Sequence, residues 1–585
     1  MEMTAPWRKG GADTLLQVQK LDVWYPNGTA VQGFDLDVHR NEVVALVGES
    51  GCGKSTAAAA IAGLLPPKAG VNGAILFEGR DLLAAPESAL RDLRGNAIGM
   101  IFQEPMTSLN PVLTIGTQIT EVLRRHRGLG AAAARARAIE LLDLVRIPEP
   151  QRRVDDYAHN LSGGQRQRVM IAIAVACEPR LLIADEPTTA LDVTIQAQVL
   201  DLLASLRRQL SMSLLLITHD LAVVGQWADR VAVMQHGRKV EEGSRDEVFF
   251  APRHRYSQGL LASSLHVDGD SHYSRVKLAE IRHAVDPAGE RSFSFTQQEH
   301  RQPAQRPAAI HPSPVPPVLT VRNLVAQYSS RYGTISAVKD VSFQIGRGET
   351  LGLVGESGCG KSTLSKTIVS LNRAVAGQVI LDGTDIAPLT GRALRPHRAN
   401  VQMVFQDPYA SLNPRLRIGD ALDEVLVVQN VRDRNERQRR VAAILDAVGL
   451  PATVARRYPH EFSGGQRQRI GIARALILRP KLLICDEPVS ALDVSVRAQI
   501  LNLFVDLKHE FGLSYLFISH DLSVINYIAD RVMVMQKGEV VETLPRDDLF
   551  TNARHPYTRT LIAATPAWPE APVVLGDASL SIRTA

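Results

Sequence analysis

A nine-residue sequence, GESGCGKST, occurs twice in this chain, at residues 48–56 and, unchanged, at residues 355–363. Three other motifs recur in the same order: SGGQRQR at 162–168 and 463–469, DEP at 185–187 and 486–488, and HDL at 219–221 and 520–522. The first pair lies 307 residues apart and the other three pairs lie 301 residues apart. A shift this large and this regular predicts a duplicated domain rather than a solenoid of short repeats.

The character of the sequence changes between the two copies. Residues 265–318 include HPSPVPP at 311–317 and a polar stretch at 297–305. Such sequences are typical of flexible, partly extended linkers. We therefore expect a first domain at 1–264, a Pro/Gln/His-rich linker at 265–318, and a second domain at 319–585. The histidines in and beside this linker have no regular spacing, so we interpret them as solvated rather than as metal ligands.

The composition is that of a soluble globular protein. No run of eighteen apolar residues occurs, and residues 1–10 lack the apolar core of a secretory signal. Lys and Arg exceed Asp and Glu by only five, which is a weak argument for nucleic acid as a partner. The four cysteines form no CxxC pair, which disfavours a zinc site or a disulfide framework. We expect a cytosolic chain that binds no nucleic acid.

Short apolar runs precede the repeated motifs in both halves. They lie at 43–47, 181–184 and 214–218, and again at 351–354, 482–485 and 515–519. Continuous apolar runs of this length predict buried strands of a mostly parallel sheet with crossover helices, which is an α/β fold. The residues between each Phe-Gln pair and the next SGGQ sequence are predicted to be mainly helical.

The repeated GESGCGKST sequence matches GxxxxGK[ST], and each copy follows a predicted strand and opens a predicted helix. In such a P-loop, glycines let backbone N–H groups converge on phosphate oxygens. The lysine neutralises the β and γ phosphates of ATP, and the serine ligates Mg²⁺. The candidate residues are Gly48, Gly51, Gly53, Lys54, Ser55 and Thr56, with Gly355, Gly358, Gly360, Lys361, Ser362 and Thr363 in the second copy.

Carboxylates and histidines stand at the ends of the next predicted strands. Asp185 and Asp486 are placed to hold Mg²⁺, and the adjacent Glu186 and Glu487 to polarise the attacking water. His219 and His520 fit a residue that senses the γ-phosphate. An amide oxygen can ligate Mg²⁺ or bridge to water, which suits Gln103 and Gln406.

The whole set resembles the ATP-binding-cassette superfamily, and the resemblance covers both halves. Its signature is present as Ser162, Gly163, Gly164 and Gln165, and as Ser463, Gly464, Gly465 and Gln466; Phe462 departs from the usual leucine. The resemblance implies an antiparallel β subdomain and a helical subdomain beside each parallel sheet. It also implies an intramolecular head-to-tail dimer in which Lys54 shares ATP with Ser463 and Lys361 shares ATP with Ser162.

Two further features follow from that resemblance. Residues 190–192 and 491–493 match the loop that links the two sites of the dimer. Tyr25 and Tyr328, at equivalent positions, are candidates to stack on adenine. Since both halves keep the same chemical groups, we expect two hydrolytically competent sites.

Within the superfamily, the chain resembles the oligopeptide/dipeptide importers, which include nickel and glutathione importers. The matching segments are 102–111 and 405–414, each ending in SLNP, and RHPYT at 554–558 with a degraded copy at 253–257. Ile173 and Ala184 against Arg474 and Cys485 resemble the two distinct ATPase subunits of that family, here fused. No cysteine follows Cys485, so we expect no iron–sulfur cluster.

The family implies ATP and Mg²⁺ as cofactors and peptides or related small solutes as cargo. Its partners are two transmembrane permeases, which the SLNP segments would face, and through them an extracytoplasmic solute-binding protein. The chain would then be peripheral, on the cytoplasmic face of the inner membrane. The alternative is a soluble tandem ATPase acting on ribosomes or nucleic acid, but such proteins have a long charged helical linker, unlike 265–318. An exporter motor is a second alternative, and the SLNP and RHPYT segments argue against it.

Overall fold

The computed structural model describes residues 13–189, 191–266, 271–285, 291–296, 299–300, 315–330, 333–407 and 411–570. The polar stretch at 297–305 and the sequence at 311–317 lie mostly outside these ranges, as do residues 1–10 and Ala190. Among the described residues, no helix combines the length and the apolar character needed to cross a bilayer.

The first half contains a six-stranded sheet in which five neighbouring strands are parallel. Arg238–Ser244 adds an antiparallel edge. A separate four-stranded antiparallel sheet packs nearby, as the family resemblance implied. In spatial order the strands are Arg238–Ser244, Arg230–Gln235, Val43–Val47, Ser213–Ile217, Leu181–Asp185 and Ile98–Ile101, and then Gly28–His39, Thr14–Tyr25, Gly70–Phe77 and Arg80–Asp81.

Helices cover this sheet and form a separate insertion, which confirms the α/β prediction. The predicted helical insertion lies between the strand at 98–101 and the SGGQ sequence. The α-helices of the first half are Lys54–Ile61, Glu87–Leu93, Pro105–Ser108, Ile115–Arg127, Ala131–Leu144, Pro150–Arg153, Gly163–Val175, Val193–Leu210, Leu221–Trp227, Arg245–Phe250 and Arg255–Ala262, with a 3₁₀ turn at Ala158–Asn160.

The second half repeats this arrangement strand for strand. Its two sheets, in spatial order, are Val401–Val404, Leu482–Asp486, Ser514–Ile518, Thr350–Val354, Arg531–Gln536 and Glu539–Pro545, and then Gly333–Ile345, Leu319–Ser330, Ala376–Leu381 and Thr384–Asp385. Its α-helices are Lys361–Ile368, Gly391–Arg398, Ile418–Val428, Arg434–Ala447, Gly464–Leu476, Val494–Phe511, Leu522–Ile528 and Pro556–Ala564. The 3₁₀ turns are Ala452–Arg456, Pro459–Glu461 and Arg546–Asp548.

The strands that lead into the motifs are buried along their whole length, as the apolar runs predicted. Every residue of Val43–Val47, Leu181–Asp185 and Ser213–Ile217 is buried, and so is every residue of the matching strands in the second half. Strands covered by helices on both faces have no polar face, which explains the continuous apolar sequence. The motif residues therefore sit at the carboxyl ends of rigid, buried strands.

The region between the halves is more ordered in its described part than a flexible, extended linker would be. Val276–Lys277 pairs with Glu299–His300, and Ile281–Val285 pairs with Arg291–Phe295, both antiparallel. Tyr273 packs in the core of the second half, whereas Ile281 packs in a core of the first half. The His272 side chain is only 13% exposed and is hydrogen-bonded to Ser274 and to the Ala529 carbonyl, so our interpretation of solvated histidines is wrong there.

Candidate active site

Each P-loop turns sharply between its buried strand and its helix. Gly48 and Gly53 have φ angles of 150° and 105°, and their counterparts Gly355 and Gly360 have 154° and 112°. A Cβ atom on Gly48 would lie 2.2 Å from the Met234 carbonyl oxygen, and one on Gly53 would lie 2.5 Å from the Ala30 oxygen. The loop therefore requires glycine at these points, for backbone conformation and for space alike.

The P-loop lysines lie inside their own loops. Lys54 Nζ donates to the carbonyl oxygens of Gly48 and Glu49, both at 2.8 Å. Lys361 Nζ donates to Gly355 and Glu356 at 2.6 and 2.9 Å. Each lysine is only 5% exposed. A buried ammonium beside converging N–H groups provides a strong local field for phosphate oxygens.

Asp185 and Asp486, the aspartates predicted to hold Mg²⁺, each contact the P-loop serine of their own half. Ser55 Oγ donates to Asp185 Oδ1 at 3.1 Å, and Ser362 Oγ donates to Asp486 Oδ1 at the same distance. Burial raises the pKa of both aspartates, while the serine hydrogen bonds lower it in part. A hydroxyl and a carboxylate oxygen are hard ligands of the kind that Mg²⁺ prefers, so this donor set fits the ion.

The glutamate that follows each aspartate is the centre of a hydrogen-bonded cluster. Glu186 lies 3.3 Å from His219 Nδ1 and accepts from Gln103 Nε2 at 2.9 Å. In the second half, Glu487 lies 3.1 Å from His520 and accepts from Gln406 at 3.0 Å. The structure thus brings Gln, Glu and His together in both halves, although their sequence separation exceeds 100 residues.

The backbone and the charge of these glutamates are both unusual. Glu186 and Glu487 have φ angles of 49° and 48°, a left-handed conformation that is strained for residues other than glycine. Burial raises the pKa of Glu186, but the hydrogen bond and charge of His219, with Thr189 and Lys54, lower it to about 2 overall. The pKa of Glu487 is lowered by the corresponding contacts of His520. Both side chains are therefore carboxylates at neutral pH, able to accept a proton.

The two clusters differ in one contact that the sequence analysis did not identify. Thr189 Oγ1 donates to the Glu186 carboxylate at 2.8 Å, whereas Ser490 Oγ donates to the backbone carbonyl of Glu487 at 3.1 Å. The threonine and the serine stand at equivalent positions, three residues after each glutamate. This is a chemical difference between two otherwise matching sites.

The signature residues begin helices and are open to solvent. Ser162 caps the helix Gly163–Val175: its hydroxyl accepts from the Gln165 N–H at 3.3 Å, and its own N–H donates to the Gln165 side chain at 3.0 Å. Ser463 and Gln466 form the same capping box. Phe462 is buried, with the Arg457 guanidinium 4.5 Å above its ring. The departure from leucine thus changes a core contact and leaves Ser463 exposed.

Contacts between the halves connect each P-loop with the opposite Ala-Leu-Asp loop. Asp493 Oδ1 accepts from the Ser50 N–H at 2.8 Å, and Asp192 Oδ2 accepts from the Ser357 N–H at 3.4 Å. A cleft of about 530 Å³ lies between the halves, lined by Lys361, Ser362, Glu487 and His520 of the second half and Leu191 and Asp192 of the first. Ser162, predicted opposite Lys361, is not among the residues that line this cleft.

The candidate adenine tyrosines lie near the carboxyl ends of inner strands of the two antiparallel sheets. Tyr328 is 43% exposed; its hydroxyl donates to Thr363 Oγ1 at 3.3 Å and accepts from Asn372 at 2.6 Å. Tyr25 ends the strand Thr14–Tyr25 and is partly exposed. Tyr328 is thus anchored next to its P-loop helix with ring surface still accessible. Adenine stacking stays a prediction for both.

The SLNP segments lie on the helical side of each half. In the first, Leu109 is buried whereas Val112 is 76% exposed. In the second, Arg474 donates to the Ser411 carbonyl, a contact that Ile173 cannot make at the equivalent position of the first half. Residues 408–410 lie outside the described residues. The two halves therefore support equivalent loops with different chemistry.

Comparisons with known proteins agree with this geometry. A family model described as "ABC transporter" matches residues 31–189 and 338–490. The chain belongs to the ABC transporter family. A second model, "Oligopeptide/dipeptide transporter, C-terminal region", matches residues 240–289 and 541–573. This ABC protein is an ATPase with two nucleotide-binding halves, and the predicted family and fold class are confirmed.

Several relatives are similar along nearly the whole chain. The glutathione import ATP-binding protein GsiA of Pectobacterium atrosepticum is 47% identical over 571 residues, which cover 94% of this chain and 89% of the relative. The proteins of the same name from Shigella dysenteriae and Escherichia coli K12 are 46% and 45% identical, each covering 95% of this chain and 90% of the relative.

Proposed function

We propose that this ABC ATPase is the motor subunit of a membrane importer that takes up peptides or related small solutes such as glutathione. The observation that carries this proposal is the paired match of residues 240–289 and 541–573 to the C-terminal region of oligopeptide/dipeptide transporters. Relatives that cover 94–95% of the chain bear the name of a glutathione import protein. Both findings favour uptake over the alternative of a soluble ATPase acting on ribosomes or nucleic acid.

Two composite sites would drive the cycle. Lys54 would share one ATP with Ser463, and Lys361 the other with Ser162, across a head-to-tail pair of halves. The reciprocal contacts of Asp493 with Ser50 and of Asp192 with Ser357 support this pairing, because they already join each P-loop to the opposite half. Closing the remaining distance to the signature serines would be a rigid-body movement.

Within each site, the residues have separable roles. Ser55, Asp185 and Gln103 would hold Mg²⁺, as would Ser362, Asp486 and Gln406; the ion supplies charge neutralisation at the β and γ phosphates. Glu186 and Glu487 would accept hydrogen bonds from the attacking water and orient it for in-line attack. His219 and His520, which contact these carboxylates, would hold them in place and meet the γ-phosphate.

The partners follow from the importer assignment. The SLNP segments would receive the cytoplasmic loops of two permeases, which places the chain at the cytoplasmic face of the inner membrane as a peripheral subunit. Exposed Val112 in one half and Arg415 at the equivalent position of the other offer an apolar and a cationic contact, respectively. The solute would be selected by the permeases and by an extracytoplasmic binding protein.

A reconstitution experiment tests this function. The tagged chain is purified in mild detergent from its native cells with whatever membrane proteins accompany it, and the complex is placed in lipid nanodiscs. We expect two permeases, and an ATPase rate that rises when the solute-binding protein is loaded with glutathione or a dipeptide. Copurification with ribosomal proteins and without permeases would contradict the importer function, while the ATPase assignment would stand.

A further inference from the structure

Two tyrosines far from the sequence motifs of the P-loops touch those loops directly. Tyr256 lies near the start of the helix Arg255–Ala262, and its hydroxyl accepts the backbone N–H of Glu49 at 3.2 Å. Tyr557 is likewise the second residue of its helix, Pro556–Ala564, and its hydroxyl accepts the backbone N–H of Glu356 at 2.9 Å. We call these two helices the tail helices. Both tyrosines are buried: Tyr256 has no exposed surface, and Tyr557 is 7% exposed.

The peptide group that each tyrosine holds also contacts the P-loop lysine. The Glu49 N–H shares its peptide group with the Gly48 carbonyl, which accepts from Lys54 Nζ at 2.8 Å; in the second half the Gly355 carbonyl accepts from Lys361 Nζ at 2.6 Å. Each of these peptide groups is therefore held at both ends, by the tyrosine hydroxyl on its N–H and by the lysine on its carbonyl oxygen.

The tail helices are themselves held firmly where they present their tyrosines. His254 Nδ1 caps the first helix by accepting the Tyr256 N–H at 3.2 Å, and Glu241 accepts the N–H groups of Arg253 and His254 at 2.6 and 3.1 Å. His555 and Glu542 make the corresponding contacts in the second half. A buried tyrosine placed by a capped helix is a rigid acceptor, and rigid supporting groups are what a precise phosphate site needs.

Each tail helix also touches the other half. The helix Pro556–Ala564 packs against Val193–Leu210 of the first half, and Val494 of the second half packs on the cluster that contains Tyr256 and Leu260. Glu49 and Glu356 connect to those same opposite helices through their side chains: Ser495 donates to Glu49, and Thr194 donates to Glu356 at 2.9 Å. The second residue of each P-loop thus joins its own tail to the opposite half.

We propose that Tyr256 and Tyr557 are positioning residues for ATP: their hydroxyls hold the peptide groups that carry the Glu49 and Glu356 N–H in the orientation that binds phosphate. The inference rests on the proposed assignment of these loops as nucleotide sites. It gives the C-terminal region of each half a role in nucleotide affinity, in addition to any role in packing.

The test compares Tyr256→Phe with Tyr557→Phe, singly and together, because phenylalanine keeps the ring and removes only the acceptor. The matched control is Tyr273→Phe, which removes a buried hydroxyl that instead contacts Asp530 and Lys508. Affinity for ATP is measured by isothermal titration, and KM and kcat by phosphate release. Thermal unfolding without nucleotide reports structural cost for all variants.

We expect the double variant to raise the Kd and KM for ATP roughly tenfold, since a buried N–H loses its acceptor, with kcat changed less than twofold. Each single variant should weaken one of two binding events. Tyr273→Phe should lower the unfolding temperature and leave ATP affinity unchanged. Equal affinity in the double variant and the wild type, or a fall in kcat alone, overturns the inference. A wild-type chain that bound no ATP would instead refute the nucleotide assignment.

Discussion

Replacing Glu186 and Glu487 together by glutamine should abolish ATP hydrolysis while leaving ATP binding intact. The two side chains are nearly buried, at 13% and 14% exposure, and each is held by a histidine and a glutamine. Glutamine has the same shape and keeps an oxygen that can accept one of these hydrogen bonds. It cannot accept a proton from water, so the change removes the base and little else.

The size of the effect follows from the role assigned to the carboxylates. A positioned general base contributes about 10²–10⁴-fold in rate, or roughly 3–5.5 kcal/mol of activation free energy. The low pKa of Glu186, about 2, keeps it ionised throughout the assay range, so this loss should not depend on pH between 6 and about 8. Each single variant should lose more than half of the total rate, because the Asp192 and Asp493 contacts join the two sites.

Phosphate release measures turnover, and retention of radiolabelled ATP on a filter measures trapping. Glu178→Gln is the matched control, since Glu178 is also a glutamate with positive φ, but it is exposed and paired with Arg137 outside the site. We expect the control to match the wild type and the double variant to retain ATP. A double variant that keeps more than about a tenth of the wild-type rate refutes the assignment of these glutamates as bases.

Three further predictions concern the contacts between parts of the chain. Asp192→Ala combined with Asp493→Ala should lower the ATPase rate about tenfold, since each P-loop serine loses its contact with the opposite half; an unchanged rate of phosphate release would contradict their role. Lys508→Met should destabilise the chain by roughly 1–3 kcal/mol in urea unfolding, because Asp530 keeps its hydrogen bonds from Tyr273 and Thr350 but loses its cationic partner; an unchanged free energy of unfolding would show that the ion pair contributes nothing. Burial lowers the pKa of His272 from 6.5 to about 4, so folding favours the neutral imidazole. The free energy of unfolding therefore keeps its full value above pH 6.5 and falls by up to about 3 kcal/mol as the pH drops towards 4. His272→Gln should remove this pH dependence. A variant whose stability falls with pH in parallel with the wild type would contradict the assignment to His272.

Much of the fold was predictable from local patterns. The apolar runs at 43–47, 181–184 and 214–218 coincide with strands at Val43–Val47, Leu181–Asp185 and Ser213–Ile217. These runs are reliable signals because strands buried on both faces favour apolar residues at nearly every position. The linker bounds stay a prediction, but two residues within them, Tyr273 and Ile281, pack in two different cores, and no periodicity marks such isolated contacts.

Part of the candidate site was likewise predictable from local sequence, and part was not. Lys54, Ser55 and the glycines of the loop stand together because they are neighbours in sequence, and the structure places them as the motif requires. Their catalytic and binding roles stay predictions. Thr189 was not identified, although its place three residues after Glu186 was visible; nothing local indicates that its hydroxyl reaches the carboxylate. Tyr256 was noted as part of a tail motif, without its contact to Glu49.

The sequence by itself determined that this protein has two α/β halves, each with a glycine-rich loop that is predicted to bind phosphate. That information is local, because a tight loop between a buried strand and a helix requires glycines at set positions and a lysine at the helix start. Only the tertiary structure decided that Asp493 meets Ser50, that Tyr557 meets Glu356, and that Thr189 and Ser490 differ. These pairs depend on how whole helices and sheets pack, so no spacing along the chain contains them.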